Sequence, residues 1–183
     1  MSIETERMTL RRFTLDDADE LLALDLDPAV RRFVEDGEPV NRDAARATIE
    51  HWRRYQDTPC FGFWAAIENE TGRFLGWFHF RAHEGAPADE PELGYRLVSS
   101  AWGKGYGTEG SIALIDRGFA NTPITRVYAE TMAVHIGSRR VMEKAGMRLI
   151  REFHADWPVR IPGDELGDVE YAITRDEWEA ARR

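Results

Sequence analysis

The chemistry of this chain concentrates in Trp102-Gly103-Lys104-Gly105-Tyr106-Gly107-Thr108-Glu109-Gly110, where glycines at 103, 105 and 107 alternate. Ile112, Ile115 and Phe119 follow at helical spacing. Without Cβ atoms, backbone N–H groups converge and a ligand can approach closely. The helix start adds about half a positive charge. A loop of this kind suits a pyrophosphate. As a bare strand-to-helix turn it would not need three alternating glycines.

Two nucleotide motifs compete for the same residues. A phosphate loop of the GxxxxGK[ST] type fails, because Ser111 stands where lysine belongs. The segment from Gly105 to Gly110 does satisfy GxGxxG, and Glu130 lies 20 residues further on, where a ribose-binding acid would sit. Against a dinucleotide fold, Ser99 to Trp102 separate the strand from the glycines. The preceding strand alternates polar and apolar, unlike a buried parallel strand, and only 53 residues follow Glu130.

Metal and disulfide chemistry have little to build on. Cys60 is the only cysteine, and His51, His79, His83, His135 and His154 show no close ligand spacing. No metal is expected. A nucleophilic triad through Ser138 and His135 is disfavoured, because no nucleophile-elbow sequence surrounds the serine.

The elements that must position the loop follow from periodicity. Arg7 to Phe13 alternates as a strand. Helices are predicted from Thr14, over Pro28 to Val34, and after an Asn41 cap. Phe61 to Ile67 and Arg73 to Phe80 are strand-like runs around Glu68-Asn69-Glu70-Thr71-Gly72, a hairpin loop. Further strands are predicted at Glu92 to Val98, Ile124 to Met132, Leu149 to Phe153 and Val169 to Ile173. Helices are predicted at Thr108 to Ala120 and Gly137 to Ala145, with Gly146 as the left-handed stop. The pattern predicts one α/β (α+β) domain over residues 1–183, with a mixed sheet flanked by helices.

Composition narrows the partners. The net charge of −9 disfavours a nucleic-acid role, yet leaves room for one polyphosphate in a local pocket. No apolar run is long enough to span a bilayer, and the first residues lack the apolar stretch of a signal peptide. The expectation is a cytoplasmic protein without nucleic-acid or membrane partners, monomeric or homodimeric.

Taken together, the motifs resemble the GNAT acetyltransferase superfamily, in its branch of ribosomal-protein N-terminal acetyltransferases. Trp102-Gly103-Lys104-Gly105-Tyr106-Gly107 fills that family's Gln/Arg-x-x-Gly-x-Gly/Ala motif, with tryptophan in first place. His135-Ile136-Gly137-Ser138-Arg139-Arg140-Val141-Met142-Glu143-Lys144-Ala145-Gly146 matches the branch's Asn-x-x-Ser-x-x-Val-x-Glu-Lys-x-Gly, with histidine replacing asparagine. Glu92-Leu93-Gly94-Tyr95, the opening Arg7-Met8-Thr9-Leu10-Arg11 and the closing Tyr171 to Trp178 also match. The resemblance covers nearly the whole chain.

It implies a twisted, mostly antiparallel mixed sheet with splayed central strands. It also implies acetyl-CoA as co-substrate and direct attack by a primary amine in a ternary complex. The amine would belong to a protein N-terminus or a small molecule. Gly103, Lys104, Gly105, Tyr106, Gly107 and Thr108 would hold the CoA pyrophosphate. Leu97 and Val98 would pair with the pantetheine arm, and Ser138 would serve the departing thiolate. His135 would donate a ring N–H to backbone or pantetheine.

Three residues compete to take the amine's proton. Glu92, acting through a water, is the expected base; His154 is its rival, and Glu130 is the third candidate. Phe33, Trp52, Trp77 and Trp157 are aromatic candidates for the acceptor cleft. A non-catalytic acyl-CoA-binding domain, or a nucleotide-linked oxidoreductase, is the alternative function.

Overall fold

Met8 and Leu10 are fully buried while Thr9 and Arg11 are not, so the first predicted strand keeps its period of two. The computed structural model of the protein describes all residues except 35–39, 84, 157–158 and 183. Strands β1 (Ser2–Glu4) and β2 (Met8–Arg11) lead into α1 (Ala18–Leu26), α2 (Pro28–Arg31) and α3 (Arg42–Trp52). Strands β3 (Gly62–Glu68), β4 (Phe74–Arg81) and β5 (Glu92–Leu97) follow, then α4 (Tyr106–Asn121) and β6 (Arg126–Met132). The chain continues through α5 (Ile136–Lys144), β7 (Arg148–Phe153), β8 (Asp168–Thr174) and α6 (Arg175–Ala180).

The eight strands form one sheet in the order β1-β2-β3-β4-β5-β6-β8-β7. Neighbours are antiparallel except β5 and β6, which run parallel. The antiparallel β4–β5 pairing removes the parallel sheet that a dinucleotide fold requires.

Both sheet faces are covered. Met8, Leu10, Trp64, Phe78 and Phe80 pack under Leu114, Ile115 and Phe119 of α4 and Met142 of α5. Phe63, Ala65 and Phe74 face Leu21 and Leu24 of α1 and Ile49 of α3. Side chains alternate along a strand, so Phe63 and Trp64 serve opposite cores. Double burial explains why β3 reads as a continuous apolar run.

Two elements differ from expectation. Ser2–Glu4 forms a short edge strand against β2 that its mixed composition does not announce. Helix α4 starts at Tyr106 instead of Thr108, with Gly105 as its left-handed N-cap at φ 89°. Gly107 therefore lies inside the helix. A Cβ at Gly110 would stand 2.3 Å from the Phe78 ring, so this third glycine of the GxGxxG match lets the helix lie close on the sheet.

Candidate active site

Strands β5 and β6 share a single register pair, Glu92 with Tyr128, and Tyr128 N donates to Pro91 O at 3.2 Å. Beyond that point they splay, and a cavity of about 790 Å³ opens between them. Val98 N donates to Leu75 O across β4 at 2.9 Å. In an antiparallel ladder the backbone groups then alternate, so those of Leu93, Tyr95 and Leu97 turn to the gap. The Leu97 carbonyl accepts from Trp102 Nε1 at 2.8 Å, which ties the strand to the glycine loop. The expected pantetheine partners thus divide. Leu97 lines the cavity, whereas Val98 spends its N–H on the sheet and packs into the core.

At the far end of the gap stands the glycine loop. Gly103, Gly105, Gly107 and Thr108 line the cavity, and the φ values at Gly103 and Gly105, 72° and 89°, are left-handed. The first intrahelical bond is Glu109 N to Gly105 O at 3.0 Å. The N–H groups of Tyr106, Gly107 and Thr108 are therefore spare donors at the positive end of a 16-residue helix. Arg140 and Lys144 of α5 line the same cavity. Lys104 and Tyr106 do not line the cavity: Lys104 is exposed, and Tyr106 is buried with its hydroxyl bonded to Glu68.

Helix α5 brings up the second motif. His135 caps it, with Nδ1 accepting from Ser138 N at 3.4 Å. The imidazole accepts from backbone at Nδ1, which leaves its other ring nitrogen to carry the N–H expected to donate to backbone or pantetheine. Burial lowers its pKa, which keeps the accepting lone pair free. Phe33 stacks on its ring at 3.9 Å between centroids. Ser138 is buried, lines the cavity and interacts with the Tyr95 phenol of β5. Burial raises the Tyr95 phenol above its ordinary value and outweighs the opposite influence of Ser138, so it stays protonated. Nothing in the motif spacing paired Tyr95 with Ser138; only the approach of α5 to β5 does so.

Glu92 lies at the other end of the cavity, beside two imidazoles. Its Oε2 sits 3.2 Å from Nε2 of His79 and closer still to Nε2 of His83. Burial pushes the Glu92 carboxyl up, but the two histidines outweigh it and hold the group far below the usual carboxylate range. Such a carboxylate is a weak proton acceptor by itself.

Glu130 also lines the cavity. Burial, with Glu92 and Glu170 nearby, raises its pKa. The Tyr128 phenol is pushed up to about 12 by burial and by the same carboxylates. His154 stands apart: it is exposed, outside the cavity lining, with Nε2 3.4 Å from Glu165 O.

Among the aromatic candidates, Phe33 and Trp77 line the cavity. Trp52 is packed instead between Phe13, Phe63 and Trp77. Trp157 lies outside the described residues. His79 also lines the cavity and was not singled out by spacing; its only sequence signal is a polar residue in an aromatic strand. Among the described residues no three His, Cys, Asp or Glu converge as a metal cage. No helix among them is long and apolar enough to cross a membrane.

A free helix start, an open strand edge and a buried hydroxyl along one gap fit an extended thioester with a polyphosphate at one end. Comparison with known proteins agrees. The family model described as "Acetyltransferase (GNAT) domain" matches residues 7–148. The FsC-acetyl coenzyme A-N(2)-transacetylase of Aspergillus fumigatus is 30% identical, over 97% of this chain and 77% of its own length. A RimL ribosomal-protein alpha-N-acetyltransferase solved with coenzyme A superposes with a TM-score of 0.80 at 18% identity, over 97% of this chain and 99% of that one. A GNAT acetyltransferase from Bacillus anthracis gives 0.78 at 22% identity, over 96% and 99%. These two structures show the shared fold. The chain belongs to the GNAT family of acetyl-CoA-dependent N-acetyltransferases.

Proposed function

We propose that this chain moves the acetyl group of acetyl-CoA to a primary amine of a small molecule or a protein N-terminus, by direct attack within a ternary complex. The observation that carries this is the single gap joining the spare N–H groups of α4, the Ser138–Tyr95 pair and the acidic end at Glu92 and Glu130. Bound acetyl-CoA supplies an acetyl group activated as a thioester. The N–H groups of Tyr106, Gly107 and Thr108, with Arg140 and Lys144, hold phosphate oxygens. The backbone edge at Tyr95 and the Leu97 N–H extends the sheet with the pantetheine amides. Ser138 donates a hydrogen bond to the departing sulfur.

At the acceptor end, Glu92 and Glu130 provide the negative charge that draws in an ammonium. The names of similar proteins support both acceptor classes: an N(2) position for the fungal transacetylase, and ribosomal proteins for the structural neighbours. An acceptor screen read by thiol release tests the proposal. Thiol release with at least one amine, and none without, is the expected result. CoA binding without transfer to any amine would leave a binding domain instead, and stabilisation by NAD alone would overturn the cofactor assignment.

A further inference from the structure

Trp77, His79 and Arg81 of β4 stand opposite Arg96, Gly94 and Glu92 of β5. Directly opposed residues share a sheet face, so His79 and Glu92 are diagonal neighbours with Gly94 between them. Gly94 has no side chain, and the imidazole occupies the space this leaves. A Cβ there would meet Nε2 of His79 at 2.5 Å and Cε1 at 2.8 Å. The ring is fixed from its other side by Phe63, edge-on at 5.5 Å, and by Trp77 at 5.8 Å. Its side chain is 12% exposed, yet it lines the cavity.

We propose that His79 is the catalytic residue that takes the proton from the acceptor ammonium, and that Glu92 is the positioning residue that acts on its ring by charge. This rests on the acyl-transfer function above and names the proton acceptor within it. Glu92 Oε2 lies 3.2 Å from Nε2 without meeting hydrogen-bond geometry, so it acts on the ring by charge, and the buried Nε2 has no hydrogen-bond partner among the described residues. The carboxylate also balances the positive charge when the ring is protonated, as carboxylates do beside catalytic imidazoles.

The step balances. The ammonium R–NH3⁺ gives one proton to the imidazole, which later releases it to solvent. The amine nitrogen bonds to the acetyl carbon, the C–S bond breaks, and the second proton lost from nitrogen ends on the sulfur. The products are the N-acetylated amine and the free thiol. The charged and titratable groups around the pair are Arg81 at the end of β4 and His83 just beyond it, Arg96 with Asp25 of α1, and Tyr128 and Glu130 of β6.

The test is the pH dependence of kcat, followed by thiol release with two acceptors of different amine basicity. A limb common to both belongs to the enzyme. His79→Gln is expected to lower kcat by about 10²-fold or more and to remove the shared ascending limb, with CoA affinity unchanged. Glu92→Gln is expected to keep that limb and move it to lower pH, because losing a neighbouring carboxylate disfavours the imidazolium. Retention of the limb in folded His79→Gln would overturn the proposal. If that variant does not fold, Glu92→Gln still decides: a limb that disappears makes the carboxylate the base. A parent enzyme that binds CoA but releases no thiol with any amine would overturn the acyl-transfer function instead.

Discussion

Arg7 Nε donates to Glu109 Oε2 at 2.8 Å, joining the turn between β1 and β2 to the first turn of the helix that ends the glycine loop. The same guanidinium donates through Nη1 to the Lys104 carbonyl at 2.8 Å, and Glu109 Oε1 accepts from Arg7 N and from Thr5 Oγ1. These bonds hold the backbone whose N–H groups face the cavity. Glu109→Gln or Arg7→Ala should therefore weaken CoA binding about tenfold, the effect of one or two lost charge-assisted hydrogen bonds. Calorimetric titration with CoA checks this. Affinity equal to the parent's would show that the loop keeps its shape without the clamp.

The loop glycines should separate by role. Gly105→Asp places a carboxylate beside the spare donors and is expected to abolish CoA binding while the chain still folds. The left-handed backbone adds about 1–2 kcal/mol of destabilisation. Gly110→Ala meets the fully buried Phe78 ring, so it should cost about 1–3 kcal/mol of stability and leave CoA affinity of the folded chain unchanged. Urea unfolding beside CoA titration distinguishes the two.

Ser138 and Tyr95 span the gap from opposite sides. If Ser138 serves the departing sulfur, Ser138→Ala should lower kcat about 10- to 100-fold with little change in KM for acetyl-CoA. Tyr95→Phe should act in the same direction, since it removes the hydroxyl partner of Ser138. A change confined to KM would show that the pair only binds.

His135→Asn should preserve stability and activity, because an asparagine oxygen accepts the Ser138 N–H as the imidazole does. His135→Ala removes the cap and should cost about 1 kcal/mol. It also leaves the Ser138 N–H at the cavity without its acceptor, so CoA affinity should fall as well. Thermal unfolding with and without CoA reads both effects.

Asp17 predicts the acid behaviour of the fold. Burial alone would raise its pKa, but bidentate hydrogen bonds from Arg11 and a bond from Thr14 N outweigh burial and hold it below its ordinary value. A depressed folded pKa stabilises the fold above the unfolded value, near 3.9, and the contribution is lost as pH falls through the folded pKa. Asp17→Asn should cost about 1.5–3 kcal/mol at neutral pH, and the gap to the parent should narrow below about pH 4. Urea midpoints across that range measure it.

What the sequence determined by itself was local. Period-two burial marked the strands, and alternating glycines before a helical repeat marked an anion site, because a backbone without Cβ and a helix start act within a few residues. Ser138 and His135 were visible through the motif that resembles the acetyltransferase branch, in which they stand three residues apart. The tertiary structure decided what depends on register between distant strands. Gly94 could not be read as the space for the His79 ring until β4 and β5 paired. Glu92 stood in the sequence without a partner, and its pairing with His79 of β4 and with His83 just beyond that strand changes its acidity. His154, plausible by position, ends exposed beside Glu165, because β8 inserts between β6 and β7 and leaves β7 as the outer strand. Charge and reach across the gap depend on which side chains oppose one another. That opposition is set by the pairing of segments far apart in the chain, which no local pattern encodes.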